Sequence, residues 1–100
     1  MKSKEEIEID FSRAIAQAKE LEEIARELSQ IANAHIAGAL EMLALSWQGE
    51  NAERYMGKGN VLKQDMFETA DDLIKVAKNI RMTSEIVYRA EKTAVMAAMS

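Results

Sequence analysis

Two long stripes of apolar residues, recurring every three and four positions, run through this sequence, and a single Trp-Gln-Gly step separates them near the midpoint. From Phe11 to Leu45 the first stripe reads Ala14, Gln17, Leu21, Ile24, Leu28, Ile31, His35, Gly38, Met42 and Leu45 without a break. That alternation is the a/d rhythm of helices packed with a left-handed twist. Phe11, Ala18, Ala25, Ala32 and Ala39 form a second row at intervals of seven. Small side chains beside the seam widen the apolar stripe and let another helix approach closely. Past the midpoint the rhythm resumes as Leu62, Met66, Thr69, Leu73, Val76, Ile80, Thr83, Val87, Ala90, Ala94 and Ala97, flanked by Ala70, Ala77 and Ser84.

The fold class this predicts is all-α, with one helix over about 10–45 and a second over about 50–96. Pro and Cys are absent and aromatics make up 5 % of the chain, too few for a β-rich core. One hundred residues form a single domain, 1–100. At the N-terminus Ile7 and Ile9 alternate with Glu8 and Asp10, which suits a short extended lead-in with Asp10 as the N-cap. Ser3-x-x-Glu6 is a competing capping box. Glu22 and Arg26 have the spacing of a favourable i,i+4 pair. Glu50 and Glu53 suit the first turn of the second helix. Gly57 and Gly59 each cost ~1 kcal/mol in a helix interior. The second helix therefore starts either at Glu50, with a kink at the glycines, or near Asn60; the first is preferred.

Two helices of this length, joined at residues 46–49, form an antiparallel hairpin whose core is one layer thick. Each stripe is wider than one partner helix covers, and a chain this small needs a further source of burial. Dimerisation into a four-helix bundle supplies it. The expected hairpin or dimer seam comprises Leu21, Ile24, Leu28, Ile31, His35, Met42, Leu45, Met66, Leu73, Val76, Ile80 and Val87.

The residues that carry chemistry are few. His35 is the sole His, so one chain builds neither a His-Glu-x-x-His zinc site nor a His-based triad, and on the seam it reads as a packed or partly solvated histidine. Glu20, Glu22, Glu23 and Glu27 follow the outer, solvated face. Gly49, Gly57 and Gly59 have no phosphate-loop context. No enzyme activity, cofactor or metal is expected. The net charge of −4 offers no basic field for nucleic acid. No apolar run approaches the ~20 residues that span a bilayer, and membrane contact is not expected. No Sec-type signal peptide is read at the start. The methionines Met66, Met82, Met96 and Met99 lie in or near the second stripe and read as packing residues, or as an adaptable surface for a partner helix. Trp47 at a helix turn is a large plug, and Gly49 reverses the chain with φ > 0.

The whole pattern resembles the WXG family, the ESAT-like proteins of about a hundred residues exported by type VII secretion systems of Gram-positive bacteria and mycobacteria. The likeness covers nearly the whole chain: Ile9-Asp10 ahead of the first helix, Trp47-Gln48-Gly49 in the turn, and Tyr55 soon after it. It implies a hairpin that dimerises with itself or with a second WXG-like subunit and is exported without a Sec signal after residence in the cytoplasm. It also implies traffic with a larger secreted effector and the secretion ATPase. Family export uses the Trp-x-Gly turn of one subunit beside an aromatic-x-x-x-acid motif after the second helix of its partner. The turn half is Trp47 and Gly49; the other half is degenerate here, Tyr88 with Glu91, because the fourth residue after Tyr88 is Lys92. Phe67 and Asp71 have the right spacing but lie mid-helix. A cytosolic helical adaptor or chaperone that binds a helical segment of a partner uses the same stripes and is the alternative.

Overall fold

The computed structural model describes residues 1–46 and 49–99. Among these, every regular element is helical: α1 (Lys4–Gln30), a π-helical segment (Ile31–Ile36), α2 (Ala37–Ser46) and α3 (Glu50–Met99). One long helix thus follows a shorter, interrupted one, the layout of a helical hairpin. The chain divides into two compact units, Met1–Glu22 with Ile74–Ser100, and Glu23–Leu73.

The first unit opens on a capping box. Ser3 Oγ accepts from the Glu6 amide at 3.1 Å, and the Ser3 carbonyl accepts from the Ile7 amide at 3.1 Å. These bonds satisfy donors that a helix N-terminus leaves open, so α1 begins at Lys4 and not at Asp10. The expected extended lead-in and Asp10 cap are therefore corrected. Two residues apart, Ile7 and Ile9 would share a face in a strand but lie about 200° apart on a helix. Accordingly Ile7 is 2 % exposed and Ile9 51 %. Asp10, now within the helix, receives Lys2 Nζ at 2.8 Å.

Ile7, Phe11, Ala14, Ala18 and Leu21 turn inward in this unit, as do Ala77, Ile80, Ser84, Tyr88 and Val95. The two strips run antiparallel, since Glu22 meets Arg81 while Phe11 meets Tyr88 and Lys2 meets Glu91. In the second unit Ala25, Leu28 and Ala32 turn inward from the first half, and Ala52, Met56, Gly59, Met66, Ala70 and Leu73 from α3. Apart from Ile7 and Val95, every fully buried hydrophobic residue among the described residues is Ala. The rows that flank the expected seam are thus its centre, and small side chains bring the paired helices close.

The first stripe is not one unbroken α-helix. At Ile31–Ile36 the turns widen, and the Ala37 amide bonds the Ala32 carbonyl five residues back. Continued α-helix from Ala32 would aim His35, Ala39 and Met42 inward. The π-helical segment absorbs one extra residue, so Leu40 joins Ile36 and Leu43 among the half-buried residues while His35 and Met42 are exposed. The exchange removes an imidazole from an apolar contact and puts larger aliphatic groups there, which offsets the poorer geometry of the wide turn.

That register also explains a glycine. A Cβ at Gly59 would overlap the Cδ atoms of Leu40, whereas one at Gly57 would meet nothing. Gly59 is a socket for Leu40. Helix α3 starts at Glu50 and continues through both glycines.

Two outcomes follow for thermal unfolding followed by circular dichroism. Deleting exposed Ala34 removes the extra residue and keeps Ile36, Leu40 and Leu43 inward, so its Tm is unchanged or raised. Deleting exposed Lys19 rotates the preceding inward residues by a quarter turn or more and costs several kcal/mol; equal losses would refute the register argument. Gly57→Ala raises stability by up to ~1 kcal/mol through helix propensity, while Gly59→Ala loses that gain because Leu40 must move.

Candidate functional site

The turn and the C-terminal motif are the two places the sequence marks out. Trp47 and Gln48 lie outside the described residues. Gly49, which follows them, has φ +103°, a conformation an L side chain rarely adopts. Its carbonyl accepts from the Glu53 amide at 3.2 Å and so opens α3. Glu50 and Glu53 occupy that first turn, where carboxylates meet the positive end of the helix dipole, and Arg54 lies 3.7 Å from Glu50. Leu45 is 87 % exposed just before the turn.

Tyr88 and Glu91 both belong to the first unit but to different networks. The Tyr88 hydroxyl donates to Glu8 Oε1 at 2.6 Å, and its ring lies against Phe11 with centroids 4.4 Å apart. Lys92 Nζ donates to the same Glu8 oxygen at 3.0 Å and to the Tyr88 oxygen at 3.2 Å, and stands 5.2 Å from the ring centroid. Glu91 instead receives Lys2 at 3.3 Å, and Lys2 also bridges to Asp10. Lys92 thus occupies the position where the aromatic-x-x-x-acid pattern wants a carboxylate, and Glu8 on α1 supplies the acid that meets the tyrosine.

These contacts set the charges. The Tyr88 hydrogen bond, then Lys92, hold the Glu8 carboxyl below its ordinary range. The Glu8 hydrogen bond raises Lys92. Lys2 is raised chiefly by Asp10 and then Glu91, and Asp10 is lowered chiefly by Lys2. On the same flank as Tyr88, Arg81 grips Glu22 with both ends of its guanidinium, Nε at 3.2 Å and the terminal nitrogen at 2.6 Å. The roles of Lys2, Glu8 and Arg81 escaped the sequence reading, and Phe11 was read only as a member of the second apolar row, because these contacts depend on which turn of α1 faces which turn of α3.

The other flank is open. In the first unit an open groove of about 460 Å³ runs over Ala14, Val76, Ile80, Thr83 and Val87, with Lys2, Asp10 and Glu91 also in its wall. In the second unit Ile24, Ile31 and Leu62 are exposed. Of the expected seam, Leu21, Leu28, Met66, Leu73 and Ile80 are half-buried on the inner faces. Ile24, Ile31, His35, Met42, Leu45, Val76 and Val87 face solvent. The pairing takes one half of the stripe and leaves the other half out.

Because Glu8 is ionised more readily in the folded chain, its bond with Tyr88 contributes stability above the carboxyl's unfolded pKa and loses it as pH falls through the lowered folded value. Tyr88→Phe is therefore expected to lower Tm at neutral pH, with the gap to wild type closing in acid. A gap that stays constant down to pH 2 would show the hydroxyl is not acting through Glu8.

Among the described residues no helix is long and apolar enough to cross a membrane, and no group of three or more His, Asp or Glu side chains is placed to hold a metal ion. What the arrangement offers chemically is surface: a turn with a constrained glycine, a clamp that ties the two chain ends together, and an apolar flank. No family model, curated protein or solved structure matches the chain, so its functional reading rests on its own residues.

Proposed function

We propose that the chain is a non-enzymatic WXG/ESAT-like protein, a substrate or co-secreted partner of a type VII secretion system, which works as a helical dimer and accompanies a larger effector. The observation that carries this reading is the open apolar flank. A hairpin with an Ala-filled, single-layer core leaves Ile24, Ile31, Leu62 and Val76 in water at positions that recur every seven residues along each helix. A run of such residues marks a surface that another protein covers. Pairing two hairpins over these flanks gives a four-helix bundle.

The export part of the reading is supported by Trp47-Gln48-Gly49 lying between the two helices, and by Gly49 holding a left-handed conformation. Trp47 and Gly49 form the turn half of the recognition element. Tyr88 and Glu91 form its degenerate counterpart; because Lys92 replaces the expected acid, the partner subunit brings the complete motif. The protein is then cytoplasmic before export and secreted without a Sec signal from a Gram-positive bacterium or mycobacterium, with the secretion ATPase as the receptor. No nucleic acid or cofactor enters the mechanism.

Trp47→Ala tests the export half directly. Helicity and sedimentation of the variant should match wild type while its amount in the culture supernatant of the producing bacterium falls at least about tenfold. Unchanged export of a folded Trp47→Ala protein would refute the proposal.

A further inference from the structure

The π-helical segment stands where the sequence offers two registers for the helix that runs on to the turn. In the unit Glu23–Leu73, Ala25 and Ala32 are buried and Leu28 is half-buried, whereas Arg26 and Asn33 are exposed. Plain α-helix beyond Ala32 would carry the inner rows on to Ala39 and Met42, and the outer row to Leu40. The structure has the reverse: Leu40 is half-buried, while Ala39 and Met42 are exposed. Yet Ala39 lies seven residues after Ala32, in step with Ala25, so the unused register has its own support in the sequence.

The two registers share much of their packing. Ile36 and Leu43 follow Ser29 at intervals of seven, and all three are half-buried, so both aliphatic residues meet the interior either way. Plain α-helix would remove the wide turn, keep alanine at the centre and bury Met42. It would give up the fit of Leu40 at Gly59 and place the His35 imidazole inside. His35 is the one polar group whose position this choice decides among Ala39, Leu40 and Met42.

We infer that Ile31–Ile36 is a register switch, in which His35 holds the helix Ala37–Ser46 in its observed position. An apolar side chain at residue 35 releases that helix into the other register. The change turns it by about 100° and advances it by about 1.5 Å, so the chain enters the turn from a different side. Two discrete packings of one segment are how a small local change reaches a neighbouring element. The inference concerns the helix alone and stands apart from the export reading.

Single thiols test it, since the chain has no Cys of its own. Met42→Cys places a thiol on a residue now exposed that would turn inward. Leu45→Cys is the control: Leu45 is exposed, and it continues the exposed row of Ile24 and Ile31, so it faces water in both registers. Labelling by iodoacetamide at one pH gives the ratio of the two rates. His35→Leu should lower that ratio at least about tenfold. In a chain lacking Ala34, plain α-helix already holds Leu40 inward, and there His35→Leu should leave the ratio unchanged. An unchanged ratio in the full chain would overturn the inference, and so would an equal fall in the chain lacking Ala34. If circular dichroism shows the His35→Leu chain unfolded, His35→Ala replaces it and must lower the ratio in the same sense.

Discussion

Burial of alanine between paired helices is the constraint on which the rest of this chain depends. Ala18 in one unit and Ala25, Ala32 and Ala70 in the other are almost wholly buried, as is Ala77. A residue with one carbon beyond the backbone lets paired helices approach until their surfaces interlock, and it fixes which side of each helix faces inward. The same choice limits the energy. Each Ala removes little apolar area from water, on the order of one methyl group at ~0.8 kcal/mol. Larger side chains must therefore sit beside the alanine rows, and a helix pair has only two flanks on which to put them. The chain treats those flanks differently.

Local geometry follows from keeping the rows aligned. Heptad spacing carries Ala18, Ala25 and Ala32 along α1, but beyond Ala32 the same spacing would bring His35 inward. One added residue in the π-helical segment rotates the following turns so that His35 turns out and Leu40 turns in beside Ile36. Leu40 reaches the α3 backbone where Gly59 has no side chain. A wide turn in one helix and a glycine in the other are thus two halves of one fit. Gly57, with nothing near its absent Cβ, has no share in it.

Helix content, the positive φ of Gly49 and the start of α3 at Glu50 were legible in the sequence because each has a local cause: periodicity, a glycine, and acidic residues in a first turn. The flanking alanines were visible as a row, yet which of two adjacent rows lies at the centre depends on the partner helix. Size alone pointed to Ile24 and Ile31, and close approach chose Ala25 and Ala32. The start of α1 at Lys4 was written in Ser3 and Glu6, but the alternation of Ile7 and Ile9 suggested an extended segment; Ile7 became buried without Ile9 once helical geometry separated them. The π-helical segment was not legible, since Ile31–Ile36 scans equally well as plain heptad. Nor was the clamp at Glu8, whose partners Tyr88 and Lys92 lie eighty residues or more away in the chain.

The exposed aliphatic residues are the physical support for the proposed pairing. On one flank Glu8 and Glu22 of α1 face Tyr88 and Arg81 of α3, so polar groups neutralise each other across the pair. On the groove side of the first unit Ala14, Val76, Ile80, Thr83 and Val87 are apolar or uncharged, with Lys2, Asp10 and Glu91 in the wall; in the second unit, taken by itself, Ile24, Ile31, Leu62 and Thr69 are exposed. A helix pair selected only to stay in solution has no reason for this difference, because both flanks would meet the same water and charge on either would serve equally. Single exposed aliphatic residues need no explanation, but Ile24 and Ile31 at one helical position on α1, with Leu62 on α3 of the same unit, form a patterned surface. Flanking alanines make the internal contact small and leave larger aliphatic residues such as Ile24, Ile31 and Leu62 in water, the surface on which the proposed pairing rests.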